Sequence, residues 1–285
     1  MREEFQKQNN SSNQVDSHQI LNGWLAFFLT LSLIVLFVTS VLRMTVLDQK
    51  YTEDRVLTDT SVSLVTREMN DAISNIASLN NVPTSVVKDA LTDKQVDDIA
   101  KASLSNIYTG KEKVINPTEI TNQVAGNISK RANASDAMAS GEVDSLVATF
   151  KSNLNEYLTN NIQTPYLSKI TSMVNSMKSI VQSFFLYSLI ASIIIVLLLV
   201  LINRAFFLPL KYVGTSAIWS GILVAIGSAI VVYSGVVEIV SSKASVFTDI
   251  VNTYISDTFD TMLVGSLIMV AVGLVFWLIG RNRGK

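Results

Sequence analysis

The chain has 285 residues, 49% hydrophobic and only 16% charged, against roughly 25% charged in a soluble domain. Its 22 basic and 23 acidic residues nearly cancel, so nothing draws it to nucleic acid. It has no cysteine and a single histidine, His18, which excludes disulfides, thiolate metal sites, cysteine nucleophiles and almost every histidine mechanism.

Residues 1–19 read as a polar tail and residues 20–43 as the first membrane span. Asp16 and Arg43 bracket 26 residues without Asp, Glu, Lys or Arg. A helix crosses the hydrocarbon core with about 20 such residues. The stretch is too long for a signal-peptide core and no A-x-A site follows, so it reads as a retained anchor. His18, just before the span and without a second histidine, reads as interfacial polar filler.

Residues 44–178 form a separate region with 16 acidic and 13 basic residues and few strand signals. Val62, Val65, Met69, Ala72, Ile76 and Leu79 recur at alternating steps of three and four, the pattern of a helical seam. Pro83 predicts its end, because proline disfavours helix at the preceding residue. Thr92 and Gln95 have capping-box spacing ahead of Val96, Ile99 and Leu104. Asn116-Pro117 predicts another helix start, carrying Ile120, Val124 and Ile128. The polar stretch from Lys130 to Gly141 reads as a loop, followed by a helix with Val143, Val147, Phe150, Leu154 and Leu158. From Pro165 the apolar period continues without a breaker, predicting one helix to about residue 208, where Pro209 would end it. Its second part is span two, residues 179–203, and its first part an outward stalk.

Residues 204–211 form a short loop, 212–237 span three, 238–260 a second outer segment, 261–280 span four and 281–285 a basic tail. The uncharged runs of spans two to four are 25, 26 and 20 residues. Aromatic residues such as Trp24, Phe184, Tyr212 and Trp277 sit near the ends, as interfacial anchoring requires. Ser241-Ser242-Lys243 is the expected turn of a helical hairpin between spans three and four. Arg204, Lys211 and the three basic residues of the tail mark the cytoplasmic side, whereas the 238–260 segment has Lys243 alone. Both termini are therefore expected in the cytoplasm and the 44–178 domain outside the plasma membrane. The expected fold is all-α: a four-span helical membrane protein with an external α-helical domain between spans one and two. A cysteine-free exported domain fits a bacterial envelope.

Catalytic motifs are missing. There is no P-loop, no H-E-x-x-H and no G-x-S-x-G. Ser85-Val86-Val87-Lys88 matches S-x-x-K without its companion motifs and reads as surface helix. No acid or base lies inside a span, which disfavours a proton-coupled transporter. No cofactor, metal site or catalytic residue is expected.

Two groups of residues stand out. Ser216, Ser220, Gly221, Ala225 and Ala229 place small side chains at helical spacing on span three, a face for close helix packing within one subunit or between subunits. Glu238, Asp249, Asp257 and Asp260 gather acids in the outer hairpin, where an oligomer would concentrate cations at its mouth. The expected partners are the lipid bilayer, further copies of the chain and an envelope protein. The expected function is a non-catalytic envelope protein that binds, senses or scaffolds through its external domain, with a homo-oligomeric pore as the alternative.

Overall fold

The computed structural model describes residues 2–80, 82–134, 140–162, 165–203 and 207–283. The side chains of His18, Ser85, Val143 and Val246 lie outside the described residues, as does the stretch 135–139 of the expected loop. Every regular element among the described residues is helical: α1 (Arg2–Met44), α2 (Gln49–Val56), α3 (Asp59–Leu79), α4 (Thr84–Val87), α5 (Asp93–Tyr108), α6 (Pro117–Ala134), α7 (Ser140–Tyr157), α8 (Pro165–Asn203), α9 (Phe207–Tyr233), α10 (Val236–Ser241) and α11 (Thr248–Arg283). The chain divides into two compact units, Leu47–Lys178 and the remainder, Met1–Val46 with Ser179–Lys285.

Within the Leu47–Lys178 unit, helix starts follow local chemistry. Thr92 Oγ1 accepts from Gln95 N–H at 3.3 Å while Gln95 Oε1 accepts from Thr92 N–H at 3.0 Å, completing the capping box that opens α5. Asn116 Oδ1 accepts from Glu119 N–H at 3.4 Å, and Pro117 occupies the first helical position of α6, where its missing N–H is no loss. Apolar faces then converge on one core: Val62, Ile73 and Ala77 of α3, Val87 of α4, Val96 of α5, Ile120, Val124 and Ile128 of α6, and Phe150 and Leu154 of α7.

The seam of α3 is rotated from its expected register. The buried positions are Ser61, Val62, Thr66, Asn70, Ile73, Ile76 and Ala77, while Val65 and Met69 pack at the edge and Leu79 is 85% exposed. Polar residues occupy the middle of the buried face because their groups are satisfied there. Thr66 Oγ1 donates to Val62 O at 2.8 Å. Asn70 Nδ2 donates to Leu91 O at 3.0 Å, and Asn70 Oδ1 accepts from Leu91 N–H at 2.9 Å. A second correction concerns the expected loop from Lys130: α6 continues to Ala134 and α7 begins at Ser140.

The other unit holds most of the apolar helical length. Four helical stretches are long and apolar enough to span a bilayer: Gln19–Met44, Leu167–Asn203, Phe207–Tyr233 and Thr248–Asn282. α8 is unbroken over 39 residues, about 58 Å at 1.5 Å per residue. Pro209 does not terminate it. That proline lies in the first turn of α9, where the N–H groups have no helical partner and proline is tolerated.

Contacts fix the directions of these helices. Asn22 and Asn203 exchange hydrogen bonds of 2.8 and 3.1 Å, and Ser32 Oγ donates to Ser188 O at 2.8 Å, so α1 and α8 run antiparallel. Ser216 Oγ donates to Ala26 O at 2.8 Å and Ser220 Oγ to Thr30 O at 2.9 Å, so α1 and α9 run parallel. α9 and α11 are antiparallel and meet backbone to backbone at glycines. A Cβ added at Gly221 would fall 2.7 Å from Ser266 O, and one at Gly273 would fall 2.9 Å from Gly214 O. Before α11 the chain turns twice, first at Gly235, whose φ of +77° suits glycine, and then through a 3-10 stretch over Ser242–Phe247. The expected turn at Ser241–Lys243 is the second of these.

Candidate functional site

The small residues expected on one face of α9 are divided between two neighbours. Ser216 and Ser220 serve α1, where their hydroxyls donate to main-chain carbonyls, a satisfied arrangement for polar groups in an apolar setting. Gly221 faces α11, against Ser266 and Val270. Ala225 and Ala229 are half-buried. Gly214 and Gly280, which the sequence reading passed over, belong to the same α9–α11 contact: a Cβ at either would collide with main chain of the facing helix.

Of the acids, Glu238 sits on α10, and Asp249, Asp257 and Asp260 on α11. Glu238, Asp249 and Asp260 are exposed and Asp257 is half-buried. Among the described residues no three His, Asp or Glu side chains converge.

A polar site lies in the Leu47–Lys178 unit, where sequence reading placed nothing. It grows from the C-terminal end of α5. Tyr108, in the last turn, is held twice: its hydroxyl pairs with Thr52 Oγ1 at 2.7 Å, and its carbonyl accepts from Lys178 Nζ at 2.7 Å. The same ammonium lies 4.8 Å from the centre of the Tyr108 ring, a cation–π contact. A cation at a helix C-terminus is favoured by the carbonyls left open there.

Gly110 then turns the chain with a φ of +75°, tight against Asn175. Asn106 secures the loop that follows. Its Nδ2 donates to Val114 O at 2.9 Å, and its carbonyl accepts from Lys111 N–H at 2.9 Å. Val114 is buried, so the loop is pinned at both sides of Lys111 and Lys113. The opposite wall comes from α7 and the π-helical turn Leu158–Ile162, through Asn155 and Thr159. π turns recur at functional sites because they redirect side chains without ending a helix.

Between these walls and the start of α6 is a cavity of about 650 Å³, lined by Asn106, Lys111, Lys113, Asn116, Asn155 and Thr159, among others. Its size falls in the range of about 300–1,000 Å³ typical of small-molecule sites. The ammonium groups of Lys111 and Lys113, each with three N–H donors, make it rich in donors. Asn155 Oδ1 is buried and has no hydrogen-bond partner, an acceptor left for a donor group. This chemistry suits binding of a small anionic or hydroxylated molecule. Elsewhere on α5, a hydrogen bond to Asp97 at 2.7 Å raises the Lys101 ammonium above its ordinary value, in a surface pair one helical turn apart.

Comparison with models of known families, with curated proteins and with solved structures finds no match.

Proposed function

We propose that this chain is a non-catalytic, multi-pass protein of the plasma membrane whose Leu47–Lys178 unit lies outside the cytoplasm and binds a small polar ligand. The observation that carries this reading is the donor-rich cavity at the start of α6, with Lys111, Lys113 and the unpartnered Asn155 Oδ1. The membrane assignment rests on four helices of spanning length. The orientation rests on the basic residues of the 204–211 loop and the C-terminal tail. With no cysteine and His18 alone, the chain is poor in catalytic groups, which supports binding over turnover.

Two measurements test this. Single cysteines replacing Ser63 and Ser242 should react with a membrane-impermeant thiol reagent on intact cells, while one replacing Asn282 should not. Labelling confined to Asn282 would invert the orientation. For the cavity, inorganic phosphate and citrate should raise the melting temperature of the detergent-solubilised full chain, and the Lys111→Ala, Lys113→Ala double variant should lose most of that rise. Equal stabilisation of both proteins would remove the cavity from the proposal.

The pore is the second reading, favoured by the exposure of Glu238, Asp249 and Asp260. It requires several copies around an axis. A monomeric mass at every protein concentration in detergent would dismiss it and leave the binding module.

A further inference from the structure

A second cavity lies in the membrane-crossing unit, between the parallel helices α1 and α9. It is a groove of about 510 Å³ that includes Gly23, Ala26 and Leu31 of α1 and Lys211, Trp219 and Leu223 of α9. Its lining is mostly apolar away from Lys211, and the hydroxyls of Thr30, Thr215 and Ser216 along it donate to main-chain carbonyls. Gly23 leaves the groove open: a Cβ built there meets nothing within 4 Å. Ala26 is the next small side chain along it, and the Trp219 ring stands beside it, 55% exposed.

The groove has the length of one leaflet. From Lys211 to Leu223 is about 18 Å at 1.5 Å per residue, while half of a hydrocarbon core about 30 Å thick is about 15 Å. Depths agree on both helices. Leu31 lies near the midpoint of the Gln19–Met44 span, and Leu223 near the midpoint of Phe207–Tyr233. The groove therefore starts at the membrane surface beside Lys211 and closes near the midplane.

Its open end is cationic. Lys211 is exposed, and among the described residues no carboxylate pairs with it. Gly280 packs on the main chain of Lys211, which brings the next residue, Arg281, to the same end of the helix group. The acids of that unit outside the N-terminal tail, Glu238, Asp249, Asp257 and Asp260, lie on α10 and α11 toward the opposite end of α9 from Lys211.

An apolar channel one leaflet deep beneath an exposed ammonium has the shape and charge of a site for a lipid with an anionic headgroup. We propose that the groove between α1 and α9 holds an acyl chain of an anionic phospholipid, with the lipid phosphate seated at Lys211. A zwitterionic lipid fills the channel equally well but brings its own cation to the same place, so selectivity comes from the headgroup end. The site is independent of the ligand assigned to the Leu47–Lys178 unit.

Trp219 supplies the test, since it stands against the chain-binding part of the groove. The full protein carrying Trp24→Phe and Trp277→Phe is reconstituted in phosphatidylcholine bilayers. Trace amounts of either phosphatidylglycerol or phosphatidylcholine with dibrominated acyl chains are then added. Brominated phosphatidylglycerol should quench Trp219 at a mole fraction several-fold lower than brominated phosphatidylcholine. Lys211→Gln should erase that difference, and Gly23→Leu should weaken quenching by both lipids. Equal quenching in the Lys211 protein overturns the proposal. So does absence of quenching by either lipid, the result expected if a second copy of the chain covers the groove. If the Phe background does not reconstitute, native mass spectrometry of the unaltered protein extracted from mixed bilayers gives the same decision: retained phosphatidylglycerol supports the site, and equal or no retention overturns it.

Discussion

Asn70 holds Leu91 by both of its main-chain polar groups, accepting from its N–H at 2.9 Å and donating to its carbonyl at 3.0 Å. The two residues are far apart in sequence, one in the buried face of α3 and the other just before the capping box of α5. A single side chain thus replaces the hydrogen bonds that a strand neighbour or helix would otherwise give a buried segment without regular structure.

Removing that side chain leaves both Leu91 groups buried and unmatched. At roughly 1–3 kcal/mol per unsatisfied group, Asn70→Ala should destabilise the Leu47–Lys178 unit by about 2–4 kcal/mol. Asn75, on the same helix but exposed, is the control, and its alanine variant should stay within about 0.5 kcal/mol. Chemical denaturation monitored by circular dichroism separates the two. Equal effects would mean that the Asn70 bridge contributes nothing.

The α9–α11 contact makes a sharper demand. Gly221→Ala places a methyl group 2.7 Å from the Ser266 carbonyl oxygen, closer than any relaxed contact allows, so the helices must part. Overpacking of this kind costs about 1–3 kcal/mol. Gly227→Ala, six residues along the same helix, meets nothing within 4 Å and should be neutral or stabilising through its better helix propensity. Melting temperatures in detergent should therefore move in different directions.

The register of α3 is tested at Leu79, with a core residue of α7 as the contrast. Leu79, at 85% exposure, should accept lysine with a change within about 0.5 kcal/mol. Phe150, fully buried against the same core, should lose about 3–5 kcal/mol on replacement by alanine, through lost burial and the cavity left behind. A large loss at Leu79 would restore the seam first drawn through it.

These contrasts separate what sequence could tell from what it could not. Caps were legible at Thr92 and Asn116 because donor, acceptor and helix start lie within four residues. The spans were legible because uncharged length alone decides them. The buried face of α3 was misjudged at Thr66 and Asn70, whose polarity is neutralised by partners that only the folded chain supplies. The cavity beside Lys111 escaped notice for the same reason. Its walls come from the loop after α5, the start of α6 and the π turn after α7, and no local pattern links them. Small residues on α9 were visible as such, but Ser216 and Gly221 prove to serve different helices, a division that rotation about the axis sets and spacing does not.

The pair formed by Asn22 and Asn203 offers another test. Within a membrane, side-chain hydrogen bonds between helices contribute about 0.6–2 kcal/mol. Asn22→Ala and Asn203→Ala should each destabilise the protein by that order. The double variant should lose less than the sum, because neither amide is then left without its partner. Strict additivity in a double-mutant cycle would show that the two amides do not cooperate.

That pair also sets a schedule for biogenesis. Asn22 and Ser32 leave the ribosome long before Asn203, Ser188 and the α9 serines that complete their surroundings. At about 5–20 residues per second, the interval for more than 150 residues is on the order of ten to thirty seconds. Throughout it, the Asn22 amide has no Asn203 to pair with and takes its hydrogen bonds from interfacial water, the insertion machinery or other helices. Slowing translation between the first two spans should therefore prolong contact between Asn22 and whatever insertion factor shelters it, a contact that a photo-crosslinking residue at position 22 would record.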